Sequence, residues 1–302
     1  MEKLPILSLF SGAGGLDLGF EEADFDPLIA LDLDPVAAET FNHNREGRDP
    51  AAVVDLASAR PLDLIKRWEQ ASGGDKRPVG VIGGPPCRAF SVGNVHKIHD
   101  DPRARLPIAY SRILRAFNDR FDLDFFVFEN VVGLGHQRHS SSLQMFIEKF
   151  EQAGFSVKSF FLDAVDFEVA QYRERMFIVG FNSKRFDAFF YAPPVGAGRA
   201  RTVRETIEGV AEPMFFTRGK RPTEIGLHPN NWCMNPRSKK FVNGALKSGK
   251  MPGRSFRMLE WDAPSWTVAY GHREVHVHPN GQRRLSVFEA MMLQGFPPEY
   301  EL

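Results

Sequence analysis

The sequence predicts an α/β fold: a doubly wound, mostly parallel, Rossmann-like sheet with a small irregular second domain. Three observations predict it. Up to about Phe181, short β-rich apolar runs alternate with helical stretches. Those runs are continuously apolar instead of alternating, as strands covered on both faces by connecting helices should be. After Tyr191 the periodicity gives way to Gly, Pro, Asn and basic residues until Ser286. The length of 302 residues fits one large domain with a smaller companion, at roughly 150 residues per domain.

Taken in order, Pro5–Phe10, Pro27–Leu31, Ala52–Val54, Val79–Gly84 and Asp124–Asn130 read as the first five strands. The runs VKSFFLDA and MFIVGF add two more near the end of this region. After the fourth strand, Leu106, Ala109, Ile113 and Phe117 recur at helical spacing, so this segment is a helix with one buried face. The expected division is a catalytic, cofactor-binding domain over 1–191, a recognition domain over 192–257, and a return to the catalytic domain over 258–302.

Composition narrows the function classes. Apolar residues at 43% and charged residues at 25% exclude a disordered, collagen-like or coiled-coil chain. No apolar window is long enough to span a membrane and no leader pattern opens the chain, so a soluble cytoplasmic protein is expected. With Cys87 and Cys233 alone, neither a disulfide framework nor a cysteine-based zinc site is available, and no metal is expected. The 38 Lys and Arg balance the 38 Asp and Glu overall. Between Arg199 and Arg257, however, thirteen basic residues face only four acidic ones, the footprint of a face that meets phosphates or, more plainly, of a solvated surface.

The first strand runs directly into Phe10-Ser11-Gly12-Ala13-Gly14-Gly15-Leu16. Glycines at a strand-to-helix turn let a ligand approach the backbone, and the helix start offers free N–H groups, so a nucleotide-like cofactor belongs there. The dinucleotide fingerprint would need Gly where Asp17 stands, which makes a nicotinamide enzyme the weaker reading. Asp32 and Asp55 follow the second and third strands, where carboxylates can accept from ribose hydroxyls; singly, each is more often a cap. The fourth strand ends in Gly83-Gly84-Pro85-Pro86-Cys87-Arg88 and the fifth in Phe128-Glu129-Asn130. A thiol and a carboxyl at the ends of adjacent strands form a covalent-catalysis pair.

These residues resemble the DNA cytosine-5 methyltransferase family. FSGAGGLDLGF matches its first motif, GGPPCRAFS its nucleophile motif, ENV its acid motif, QYRERMFIVG its arginine motif, and RRLSVFEAMMLQGFP its late motif, all in the family's order. The resemblance implies methylation of cytosine C5 in duplex DNA, with S-adenosyl-L-methionine as cofactor and the target base flipped out. By the same resemblance Cys87 is the nucleophile toward C6, Glu129 holds N3 and the exocyclic amine, and Arg173 and Arg175 contact O2 and a phosphate. Cofactor contacts fall to Phe10, Ser11, Gly12, Gly14, Gly15, Leu16, Asp32, Leu33, Asp55, Leu56, Pro85 and Leu106. DNA contacts fall to Arg88, Ser91 and Thr267, and Ser91 to Leu106 matches a mobile loop.

Three departures stand out. Arg88 replaces the family's Gln beside the nucleophile, and Ala170 replaces a Pro in the arginine motif. The family's Gly-Asn-(Ala or Ser)-Val helix does not follow Leu302, so the expectation is either a second polypeptide that supplies it or weak cofactor binding. The alternatives are the family's transfer-RNA branch and a catalytically weakened DNA-binding relative.

Overall fold

The structure is a computed structural model that describes residues 2–86, 105–186, 191–217, 219, 224, 228–241, 246, 256–268 and 275–302. The chain divides into two compact units, Met1–Leu162 with Glu174–Pro193, and Asp163–Arg173 with Pro194–Leu302.

The first unit is built on seven strands: β1 (Leu4–Leu9), β2 (Phe25–Asp32), β3 (Ala51–Val53), β4 (Gly80–Gly83), β5 (Phe125–Val131), β6 (Phe155–Asp163) and β7 (Glu174–Asn182). Their order is β3-β2-β1-β4-β5-β7-β6. β1 pairs in parallel with both β2 and β4, and β4 pairs in parallel with β5. The central strands are the most apolar: all four residues of β4 are buried, as are Ile6 to Leu9 of β1. The chain winds outward from β1 to β2 and β3, then returns to β4 on the other side. The switch point between β1 and β4 is where an open α/β sheet leaves a crevice at its carboxyl edge.

One expectation needed refinement. β7 enters between β5 and β6 and runs antiparallel to β5, with Glu129 opposite Phe177 and Val131 opposite Arg175. An apolar run does not encode its direction, so this inversion was not readable from the pattern.

Helices α1 (Gly15–Glu22), α2 (Pro35–His43), α3 (Pro61–Ala71), α4 (Leu106–Phe121) and α5 (Ser140–Gln152) connect the strands. On α4 the residues Ala109, Ile113 and Phe117 are buried as their spacing predicts, while Leu106 is only half-buried. That face meets an aromatic core in which the Tyr110 ring stands edge-on to Phe128 at 5.2 Å and to Phe150 at 6.0 Å. Rings packed edge-to-face stabilise the core beyond what the area they bury accounts for.

The second unit contains α6 (Val203–Ile207), α7 (Val287–Leu293) and the short parallel pairs β8 (Met214–Phe215) with β9 (Trp232–Cys233) and β10 (Arg257–Met258) with β11 (His276–Val277). Both helices start in a capping box, Thr202 with Glu205 and Ser286 with Glu289. The segment 258–302 lies in this unit. The physical reason is its core, where Leu259, Val268, Leu285, Ala290 and Leu293 pack with Val203, Ile207 and Ala170.

Candidate active site

The turn after β1 is held in a conformation that its glycines make possible. Gly12 and Gly14 have φ of 53° and 84°, and even Phe10, just past the strand, sits at 56°. A positive φ costs a residue with a side chain, so Phe10 is held there by its surroundings. The Ser11 N–H donates to the Leu31 carbonyl at 3.2 Å and the Gly14 N–H to the Ser11 carbonyl at 3.0 Å. The Gly12 N–H donates to Asp32 Oδ2 at 2.8 Å, and the Asp34 N–H to Asp32 Oδ1 at 2.9 Å.

Asp32 is therefore the pin of the turn as well as a carboxylate at its rim. A side chain on Gly12 would meet nothing within 4 Å, whereas one on Gly14 would meet Phe41 at 2.9 Å and Arg45 at 3.1 Å. The turn is open at Gly12 and tightly backed at Gly14. An open glycine turn at a helix start, with a carboxylate beside it, fits an S-adenosylmethionine-type cofactor.

The other expected cofactor residues divide. Gly15 and Leu33 are exposed, and Leu16 packs partly against Ile6, Val79 and Ile82. Asp55 is exposed two residues past β3. Its Oδ1 accepts from the Ala57 N–H at 3.0 Å and its Oδ2 from the Ser58 hydroxyl at 2.7 Å, which is the geometry of a turn cap. Leu56 is buried in the main core, so its backbone is what it can offer a ligand. Pro85 is buried at the end of β4.

The ends of β4 and β5 meet. The Asn130 amide donates to the Pro85 carbonyl at 3.3 Å, and its own Oδ1 accepts the Val131 N–H at 2.8 Å. A Cβ on Gly84 would lie 2.8 Å from Glu129 Oε2, so the glycine admits the carboxylate against the backbone. On its other side Glu129 Oε1 is 2.9 Å from Arg175 Nε, delivered by the antiparallel β7. Sequence reading missed Asn130 as the residue that ties the Gly-Gly-Pro-Pro turn to the acid strand. Its position inside ENV was the available signal.

Cys87, Arg88 and Ser91 lie outside the described residues. Arg173 and Thr267 belong to the second unit. There the Arg173 N–H donates to Asp163 Oδ1 at 2.6 Å, and the Thr267 hydroxyl donates to the Tyr172 carbonyl at 2.7 Å.

With this geometry in place, the sequence profile of the C-5 cytosine-specific DNA methylases matches residues 4–302. The chain belongs to the C-5 cytosine-specific DNA methylase family. It is a DNA cytosine-5 methyltransferase, and the family implies a methyl donor of the S-adenosylmethionine type. The chain is 29% identical over 321 residues to Type II methyltransferase M.FnuDI of Fusobacterium nucleatum, covering 99% of this chain and 86% of that one. It is 29% identical over 319 residues to M.MthTI of Methanothermobacter thermautotrophicus, covering 99% and 88%.

In fold the methyltransferase is similar to a chain described as a DNA modification methyltransferase encoded within a prophage (E. coli), at TM-score 0.75 and 22% identity over 99% of this chain and 90% of that one. The transfer-RNA alternative is not favoured by the Type II relatives. Among the described residues no helix is long and apolar enough to cross a membrane, and no His, Cys, Asp or Glu group could hold a metal.

Proposed function

We propose that this methyltransferase flips a cytosine out of duplex DNA and methylates its C5 through a covalent bond between Cys87 and C6, as the modification partner of a prokaryotic restriction enzyme. The observation that carries the reading is the junction of β4 and β5. It sets the Gly-Gly-Pro-Pro segment that leads to Cys87 directly against the Glu129–Arg175 pair.

C5 of cytosine is too weak a nucleophile to take a methyl group unaided. Addition of the Cys87 thiolate to C6 pushes electrons onto C5. Glu129 hydrogen-bonds the ring at N3 and the exocyclic amine, where charge changes as the thiolate adds, and so favours the transition state over the ground state. Arg175, held against Glu129, fixes that carboxyl in place. S-adenosylmethionine, when bound, supplies an electrophilic methyl group. The turn from Phe10 to Leu16 and the Asp32 carboxylate would hold it. After transfer, loss of the C5 proton and cleavage of the C6–S bond release 5-methylcytosine and the thiolate. Arg173, Thr267, Arg88 and Ser91 contribute DNA contacts, and the basic stretch from Arg199 to Arg257 faces the phosphates.

The test is bisulfite sequencing of DNA from cells expressing the wild-type chain or Cys87→Ser. Protected cytosines in one sequence context with the wild type, and none with the variant, are expected. DNA carrying 5-fluorocytosine has no C5 proton to lose, so it should trap the wild-type chain covalently. Protection by the serine variant would remove Cys87 from the mechanism.

A further inference from the structure

The strongest anomaly in the first unit lies behind the cofactor turn. Asp17, in the first turn of α1, is fully buried, and neither carboxyl oxygen makes a hydrogen bond. The buried hydroxyl of Ser11 in the turn is likewise unpaired, and that of Ser8, near the end of β1, makes no well-formed hydrogen bond but pulls on the Asp17 carboxyl. Buried polar groups are nearly always satisfied, and one that is not points to a role outside the fold.

The charges around Asp17 are few. Arg45, just past α2, is buried under Gly14. Its Nε and Nη2 donate to the two Glu21 oxygens at 2.7 Å each, its Nη1 donates to the Phe41 carbonyl at 2.7 Å, and its guanidinium lies 3.5 Å over the Phe41 ring. Glu21, on α1, thus engages the nearest cation on both oxygens. Burial raises the Asp17 carboxyl to about 7, outweighing the pull of the Ser8 hydroxyl and then of Arg45 toward the charged form, and Glu21 adds to the rise.

We propose that Asp17 reads the charge of the ligand at this turn, favouring the cationic methionine end of S-adenosylmethionine over the uncharged thioether of the demethylated product. This rests on the reading that the cofactor binds at Gly12–Gly15. Among the described residues the nearest cation to the ionised carboxyl, Arg45, is already paired with Glu21, so a positive ligand group across the turn supplies a counter-charge that is not shared. The demethylated product, without the sulfonium, supplies less, which helps it leave. Burying such a carboxyl lowers the stability of the free protein, as expected where an active-site group is kept for function.

The test titrates S-adenosylmethionine and S-adenosylhomocysteine into the full chain from pH 6 to 8.5, for wild type and Asp17→Asn. The ligands' own amino groups titrate alike with both proteins, so the comparison of proteins isolates the carboxyl. If the sulfonium lowers the Asp17 pKa from about 7 by one unit, the wild-type preference for S-adenosylmethionine rises by about fivefold over this range relative to the variant. The ligand-free variant should also unfold at a higher temperature than wild type at pH 8. The same pH-dependent preference in both proteins, or none in wild type, would overturn the role of Asp17. Binding of neither ligand by the wild type would instead overturn the cofactor reading itself. If Asp17→Asn fails to fold, Asp17→Ser serves as the uncharged reference for the same comparison.

Discussion

Arg175 Nε stands 2.9 Å from Glu129 Oε1, and the two side chains are only 21% and 26% exposed. The pair joins β7 to β5, which are distant in sequence and antiparallel in the sheet. A partly shielded ion pair of this kind holds a carboxyl in one orientation more than it stabilises the fold. Glu129→Gln keeps the shape and removes the charge. It should lower kcat by at least about a hundredfold while the Kd for DNA changes little. Single-turnover methylation and a filter-binding titration check the split. A change in Kd alone would make Glu129 a binding residue.

Gly84 and Gly83 should respond in opposite ways. The atoms nearest a Cβ on Gly84 all belong to Glu129, the first of them, Oε2, at 2.8 Å and able to swing away. Gly84→Ala should therefore unfold near the wild-type temperature yet lose tenfold or more in methylation, since a misplacement of about 1 Å costs up to a hundredfold. A Cβ on Gly83 would sit 2.2 Å from the Leu9 carbonyl oxygen, which cannot move without parting β1 from β4. Gly83→Ala should lower the unfolding temperature outright. Thermal melts of the two variants side by side distinguish a displaced carboxylate from a broken sheet.

These contrasts mark what the sequence made readable. Strands β1 to β5 were visible because continuous apolar runs ended in glycine, proline or acidic residues, and the Phe10–Leu16 turn and Asp32 lie where that pattern put them. The direction of β7 was hidden, and with it the contact that Arg175 makes. Burial of Asp17 was hidden too, because an acidic residue in the first turn of an amphipathic helix normally faces water. That 163–173 and 258–302 share a core was hidden as well, since only tertiary contacts define it.

Asn130 offers a direct probe of the strand junction. It is buried, and its amide reaches the Pro85 carbonyl at 3.3 Å. Asn130→Ala leaves that carbonyl and the Val131 N–H without this partner, at a cost of about 1–3 kcal/mol. Because the anchor sits three residues or fewer from the expected nucleophile, methylation should fall more than stability does. Urea denaturation beside a rate measurement checks this. Equal losses in both would reduce Asn130 to a structural residue.

The two cysteines should separate chemically. Cys233 is 2% exposed, and burial pushes its thiol up to about 11, against a weaker downward pull from Arg283. At pH 8 almost none of it is thiolate, so iodoacetamide should leave it unmodified in the folded protein. Any adduct should map to Cys87, the other cysteine in the chain. Peptide mapping after brief alkylation, with and without denaturant, gives the answer. Labelling of Cys233 without denaturant would show that the second unit opens readily.

A buried ion pair organises the second unit. Arg283 and Glu289 are 3% and 1% exposed and bond through two contacts, Nη1 to Oε2 at 2.8 Å and Nη2 to Oε1 at 2.9 Å. Glu289 also accepts the Ser286 N–H at 2.8 Å, so one carboxylate closes the cap of α7 and neutralises a buried guanidinium. The exposed Glu212 carboxylate, 2.9 Å from Arg283 Nε, supports the arginine from the rim but is shared with solvent. Glu289→Gln retains an oxygen for the cap and strands the positive charge, which should cost about 3–5 kcal/mol. Ser286→Ala removes only its hydroxyl acceptor and should cost about 1 kcal/mol. Replacing both members, as Arg283→Met with Glu289→Gln, should recover much of the larger loss, because no buried charge then lacks a partner. Urea midpoints of the three proteins test this order, and equal losses for Ser286→Ala and Glu289→Gln would show that Glu289 matters as a cap and not as the partner of Arg283.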